Sequence, residues 1–330
     1  MLLRLSIPDL AQRLLNDPMS LSPRDGVGGV LIVGEADANA DSTGFDLWSV
    51  PCAVLARSDS GVDPALVDAF FDEFGEPGVT RNASAQPVAF ATAARTLRLA
   101  AVLPPRDALF LESVTYSLLQ SGGEFAQWLA DNHRKVRRSG RASSVVEVRR
   151  IDDTLHVSLA EPERHNAFSR VMRDELREAL TLATVDETIT RVVLDGHGSC
   201  FSSGGDLAEF GSATSPLDSH LVRTTDSVAQ LLLTIGERLV TRLECRVHGP
   251  NVGAGVELAA FAPRVVASAK ATFRLPEVSM GLVPGAGGTV SVTRRIGRHR
   301  AALMMLSGCE IDARTALDWG LIDEIGDGEG

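Results

Sequence analysis

Lysine is nearly absent from this 330-residue chain: only Lys135 and Lys270 occur, and the formal net charge is −11. An acidic chain repels polyphosphates at long range, which argues against nucleic acid as a general partner. The basic cluster His133-Arg134-Lys135-Val136-Arg137-Arg138 can attract phosphate locally, but its composition reads better as a solvated linker. Cysteine is scarce as well. Cys52, Cys200, Cys245 and Cys309 are widely scattered and form no CxxC. That excludes a disulfide framework, and the four are expected as reduced thiols of a cytoplasmic protein. The seven histidines never fall at HExxH spacing, so no metal site is expected. No apolar run approaches the roughly 20 residues that span a bilayer, and the Met1–Pro8 segment is too short for a signal peptide. No GxxxxGK[ST] exists, and Gly26-Val27-Gly28-Gly29 precedes a strand instead of following one. Neither a P-loop nor a dinucleotide fingerprint is supported.

What is present suits a soluble globular protein. Apolar residues make up 44% and charged residues 23%, enough to bury a core without disulfides or a structural metal. A polar, basic stretch at 132–144 divides the chain into an N-terminal region, 1–131, and a second region, 145–330. In the first, Val30–Val33 and Cys52–Leu55 read as buried strands. Asp63-Pro64 predicts a helix start, with Leu66, Val67, Phe70, Phe71 and Phe74 on its apolar face. Helices are also expected from Val88 to Leu103, from Asp107 to Leu119, and around Phe125, Trp128 and Leu129. In the second region, Val145–Val148 and Leu155–Leu159 flank Asp152-Asp153 as a hairpin. Ser169 caps a helix with Met172, Leu176, Ala179, Leu180 and Ala183 on one face. Val192–Leu194 and Val265–Ala267 read as strands and Val228–Leu239 as a helix. This alternation gives an α/β fold class.

Three segments carry chemistry. The first, Gly196 to Leu207, follows a strand and is rich in glycine and serine, which leaves main-chain N–H groups free for an anion or a developing oxyanion. Taken alone, it also fits an ordinary turn. The second runs from His248 to Ala260. Its small-residue turn feeds an apolar helix, placing the Ala254 N–H at a helix N-terminus and Glu257 among apolar neighbours. In the third, Phe273 to Thr289, Glu277 again lies between apolar residues. A surface position or an ion pair with Arg274 is the alternative there. Two carboxylates in apolar settings can have separated proton affinities, so that one acts as acid and the other as base.

In this order, the segments resemble the signature of the crotonase (enoyl-CoA hydratase/isomerase) superfamily. Glu163-Arg164-His165-Asn166-Ala167-Phe168 is similar to the family's opening motif. Arg295-Ile296-Gly297-Arg298 with Ala301-Ala302-Leu303, and Ala316 to Glu324, resemble its closing blocks. The likeness runs from about Val145 to Glu324.

The resemblance implies a ββα spiral core that binds acyl-CoA and holds the thioester enolate between two main-chain N–H groups, here those of Gly205 and Ala254. Coenzyme A contacts would fall near Asn166, Ala167, Ser203, Gly205, Asp206 and Leu207, with Asp206 fixing a turn. Coenzyme A belongs to the substrate, so no separate cofactor is implied. Many relatives carry a lysine where this chain has Ala208. Glutamates at both Glu257 and Glu277 favour a hydratase, with Glu257 activating water and Glu277 donating the proton. Enoyl-CoA isomerisation, other enolate chemistry on an acyl-CoA, and a non-catalytic CoA-binding subunit are the alternatives. Arg274 is expected to lower the proton affinity of Glu277. A homo-trimer or hexamer is implied too. Relatives continue with helices beyond the position of Glu324. The expectation is that residues 1–131 replace them as lid and oligomer contacts, with Tyr116, Phe125 or Trp128 against the core.

Overall fold

The computed structural model describes residues 1–33, 46–72, 75–132, 144–213 and 215–326. The basic cluster at 133–138 and nearly all of the expected linker lie outside the described residues, as does Phe74.

The chain opens with β1 (Leu2–Leu5) and α1 (Ile7–Asn16), followed by β2 (Gly29–Ile32), β3 (Ala53–Arg57) and β4 (Ala69–Phe71). These strands form a parallel sheet in the order β1-β2-β3-β4. Residues Val30–Ile32 and Ala53–Ala56 are buried along their whole length, the run expected of a parallel sheet covered on both faces. The helix expected at Asp63 is a single 3-10 turn, Pro64–Leu66, capped by Asp63. The apolar residues beyond it enter the sheet as β4. Tertiary bonds decide the matter: the Asp68 carboxylate accepts the Val54 N–H at 2.8 Å and pairs with buried Arg98. A short apolar run does not distinguish strand from helix by itself.

Four helices complete this half: α2 (Glu76–Ala85), α3 (Pro87–Ala100), α4 (Pro105–Gln120) and α5 (Gly123–Asn132). Proline at the first position opens α3 and α4, where a missing N–H costs nothing. The Glu124 carboxylate from α5 accepts the Val88 and Ala89 N–H groups, so α5 caps α3.

The second half is built from β5 (Val146–Ile151), β6 (Thr154–Leu159), α6 (Arg170–Val185), β7 (Arg191–Gly196), α7 (Pro216–Thr225), α8 (Val228–Leu239), β8 (Leu243–Val247), β9 (Pro250–Val252), α9 (Ala254–Ala259), β10 (Arg264–Ser268), β11 (Thr272–Arg274), α10 (Gly288–Ile296), α11 (Arg298–Ser307), β12 (Glu310–Asp312), α12 (Ala313–Trp319) and β13 (Glu324–Gly326). One sheet has the order β13-β10-β8-β7-β6-β5 and a smaller one β12-β11-β9. The successive pairs β8/β9 and β10/β11 each give their first strand to the large sheet and their second to the small one, producing the ββα spiral. The β5–β6 hairpin turns at Asp152, whose φ is +53°. Ser169 caps α6, and all five residues of its expected apolar face are buried.

The halves share one core. A continuous apolar cluster joins Leu55, Phe71, Phe90 and Leu97 to Leu155, Phe273, Val283 and Met305. The Asn82 amide donates to the Leu306 carbonyl, and Arg298 reaches back to the Val67 carbonyl. Helices α2 and α3 pack on α11, and α4 packs on α7 and α10. The N-terminal helices thereby come to lie over the loops that carry the candidate site.

Candidate active site

The loop after β7 is braced by one buried side chain. Asn166 Oδ1 accepts the Glu161 N–H, and its Nδ2 donates to the carbonyls of His197 (2.8 Å) and Cys200 (3.0 Å). Ser202 Oγ donates to the Asn166 carbonyl and accepts the Gly204 N–H. Phe168 N–H donates to the Gly204 carbonyl, and Asp206 N–H to the Phe168 carbonyl. Between them the Gly205 N–H has no acceptor among the described residues.

A second unpaired amide lies beside the first. The Gly253 N–H is bonded to the Arg274 carbonyl, and α9 begins at the next residue, leaving the Ala254 N–H without an acceptor among the described residues. Close approach of the two loops requires glycine. A Cβ on Gly204, whose φ is +89°, would lie 2.5 Å from the Val252 carbonyl oxygen and 3.6 Å from the Ala254 nitrogen. Gly253, at φ +49°, leaves room for Glu277, whose Oε1 would lie 2.5 Å from an added Cβ.

Gly205, Ala254, Glu257 and Glu277 line one pocket of about 310 Å³. Glu257 is buried in the first turn of α9, and its Oε2 accepts the N–H groups of Ala286 (2.7 Å) and Gly288 (2.8 Å). Burial pushes its carboxyl up to about 7, against the opposing pull of those amides. Glu277 lies in the 3-10 turn Glu277–Met280, and its Oε2 has no hydrogen-bond partner among the described residues. Desolvation first, and the Glu257 charge second, raise its carboxyl well above the usual range. The expected effect of Arg274 is overridden. Its Nε is turned to the Gly308 carbonyl, and its lowering influence on Glu277 is smaller than the raising effects of burial and of the Glu257 charge.

Asp206 also reaches the pocket, and it fixes its turn by accepting the Ala208 N–H and pairing with Arg164 at 2.5 Å. Asn166, Ala167, Ser203 and Leu207 do not line the pocket. Asn166 and Ala167 are buried in the bracing network, whereas Ser203 and Leu207 are exposed on the outside of the loop.

The far wall includes two of the N-terminal residues expected to lie against the core. Tyr116 from α4 and Phe125 from α5 line the pocket with Phe168 and Phe210. Phe125, Trp128 and Phe210 form a ring cluster, with centroids 6.1 to 6.3 Å apart. The Arg223 guanidinium from α7 stacks 3.6 Å over the Tyr116 ring and donates to the Gly285 carbonyl. No acidic side chain pairs with it among the described residues. The four cysteines are free thiols, and none lines the pocket. No helix among the described residues is long and apolar enough to cross a membrane, and no metal-binding cluster occurs among them.

The family model described as Enoyl-CoA hydratase/isomerase matches residues 152–328. The chain is 34% identical over 178 residues to the 2,3-dehydroadipyl-CoA hydratase of Escherichia coli, covering 54% of this chain and 68% of that protein. It is 32% identical to the enoyl-CoA isomerase/hydratase fer4 of Mycosarcoma maydis, over 52% of this chain and 65% of that one. It thus spans about two thirds of the length of these relatives. A solved enoyl-CoA hydratase from Thermoplasma volcanium is 29% identical, with 57% of this chain and 73% of that chain covered and a TM-score of 0.49. All four of Gly205, Ala254, Glu257 and Glu277 fall inside the matched span, and on that span the chain belongs to the enoyl-CoA hydratase/isomerase family.

Proposed function

We propose that the protein adds water to a 2-enoyl-CoA, giving a 3-hydroxyacyl-CoA. The observation that carries this reading is the convergence on one pocket of two unpaired amides and two buried carboxyls, Glu257 held by two amides and Glu277 with an Oε2 that has no partner among the described residues. The thioester oxygen accepts from the Gly205 and Ala254 N–H groups, which favour the charge that grows there as the enolate forms. Each such donor is worth roughly 10²–10³ in rate. Glu257, the more readily ionised carboxyl, takes a proton from water as the water oxygen bonds to C3. The C2–C3 π electrons shift toward the thioester. Glu277, held neutral by burial, then gives its proton to C2. Product release and proton exchange with solvent return Glu257 to its anion and Glu277 to its acid.

In this reading coenzyme A arrives as part of the substrate, with no separate cofactor, and the enzyme is a cytoplasmic homo-trimer or hexamer. Light scattering tests the assembly. The activity is tested with crotonyl-CoA, by loss of the enoyl-thioester absorbance. Double-bond migration in a 3-enoyl-CoA without hydration would indicate an isomerase instead. Acyl-CoA binding without turnover across a range of chain lengths would indicate a binding subunit.

A further inference from the structure

Glu112 lies on α4, outside the span that matches the family, and is 2% exposed. Its Oε1 accepts the Gly287 N–H at 2.7 Å. Its Oε2 accepts the Thr289 N–H at 2.9 Å and the Thr289 hydroxyl at 2.6 Å. The alternate amides, that of Ala286 just before them and that of Gly288 between them, point at Glu257. Four successive N–H groups at the start of α10 are therefore divided alternately between carboxylates from opposite halves of the chain.

The four amides belong to consecutive peptide units joined at shared Cα atoms, so turning the Gly287 N–H away from Glu112 changes the backbone angles that aim the units serving Glu257. Amide donors favour the charged form of a carboxyl, so Glu257 without them would hold its proton more tightly. We propose that Glu112 is a positioning residue: by gripping the Gly287 and Thr289 amides it keeps those of Ala286 and Gly288 on Glu257, so that the N-terminal half sets the orientation of the base. The inference rests on the hydratase reading for its kinetic consequence, and on geometry alone for the state of Glu257.

Several other groups face this turn. Glu277 lies across the pocket, Tyr116 comes from α4 and Arg223 from α7, whose His220 bonds Ser113 next to Glu112, and Arg173 and Asp226 line a smaller adjoining cavity with Glu112. Burial and the Glu257 charge push the Glu112 carboxyl up to about 8. The Gly287 and Thr289 donors pull the other way, as those of Ala286 and Gly288 do on Glu257.

The test compares Glu112→Ala and Glu112→Gln with Leu109→Ala, a cavity-forming control one turn earlier on α4. Thermal midpoint, kcat, KM and the pH profile of kcat/KM are measured. Infrared titration of the Glu257 carboxyl, assigned by difference against Glu257→Gln, gives a readout independent of turnover. In Glu112→Ala we expect kcat to fall about 10-fold or more with KM nearly kept, the scale of a misplaced catalytic group. The acid limb and the infrared titration should both move up by about half a pH unit or more. Glu112→Gln, which keeps one acceptor oxygen, falls between, and it decides the matter if the alanine variant does not fold. Leu109→Ala lowers the midpoint and leaves the limb in place. A limb that stays put or moves down, or a Leu109→Ala variant that reproduces the whole effect, overturns the proposal. If the wild type turns over no enoyl-CoA, the hydratase reading fails on its own and the infrared shift alone decides.

Discussion

Glu257 and Glu112 take alternate amides of one helix start, Ala286 and Gly288 going to the first and Gly287 and Thr289 to the second. The helix dipole and four N–H groups compensate part of the cost of burying two acids. The remainder appears as raised proton affinity in both.

That arrangement fixes a pH profile. Hydration needs Glu257 ionised and Glu277 protonated. Activity should rise as pH increases through about 7, where Glu257 loses its proton, and fall at higher pH as Glu277 loses its own. A bell in kcat/KM is the expected result, and Glu257→Gln should leave no acid limb near 7 in the residual rate.

Stability should carry the opposite slope. A carboxyl whose folded pKa lies above its ordinary value of 4.5 binds its proton more tightly when folded. Its contribution is full below 4.5 and is lost as pH rises through the folded value, about 7 for Glu257 and about 8 for Glu112. The thermal midpoint should thus decline between roughly pH 5 and 8, and Glu257→Gln should flatten that decline. Calorimetry across this range checks it. A slope unchanged by the substitution would mean the buried carboxyls do not control it.

The amide role of Ala254 separates backbone from side chain. Ala254→Gly keeps the N–H and should retain activity within a few-fold, whereas Ala254→Pro removes it. Proline suits the first position of α9, so folding should survive. A fall of roughly 10²–10³ in kcat is expected for the loss of one oxyanion donor. Equal activity in the two variants would remove this amide from the mechanism.

In the N-terminal half, Arg98 and Asp68 form a buried ion pair, and Arg98 also donates to the Leu47, Val50 and Cys52 carbonyls. Arg98→Met leaves the Asp68 charge and those carbonyls short of partners, and should cost about 3–5 kcal/mol. Denaturant unfolding measures it. Because the core is continuous across both halves, one cooperative transition is expected, without separate melting of the N-terminal half.

The sequence exposes features that are local. The hairpin at Asp152, the Ser169 cap and the apolar face of α6 are each written within a few residues, as are the glycine-rich loops and the two carboxylates among apolar neighbours. Distant contacts are not. Glu112 reads as one acid in a helical run until α4 is laid against α10, and Arg223 gives no signal until it stacks on Tyr116. β4 reads as a helix because its strand state depends on Val54 and Arg98, which are remote in the chain. The brace formed by Asn166 is likewise tertiary, because its amide partners His197 and Cys200 lie more than thirty residues away.

The most direct measurement is turnover of a 2-enoyl-CoA by the wild type beside Glu257→Gln and Glu277→Gln, followed by loss of enoyl-thioester absorbance with product identified by mass. The account predicts a 3-hydroxyacyl-CoA from the wild type and a fall of at least about 10² in kcat for each variant, the usual scale for removing an acid or base. Hydration that persists at wild-type rate in both variants would contradict it.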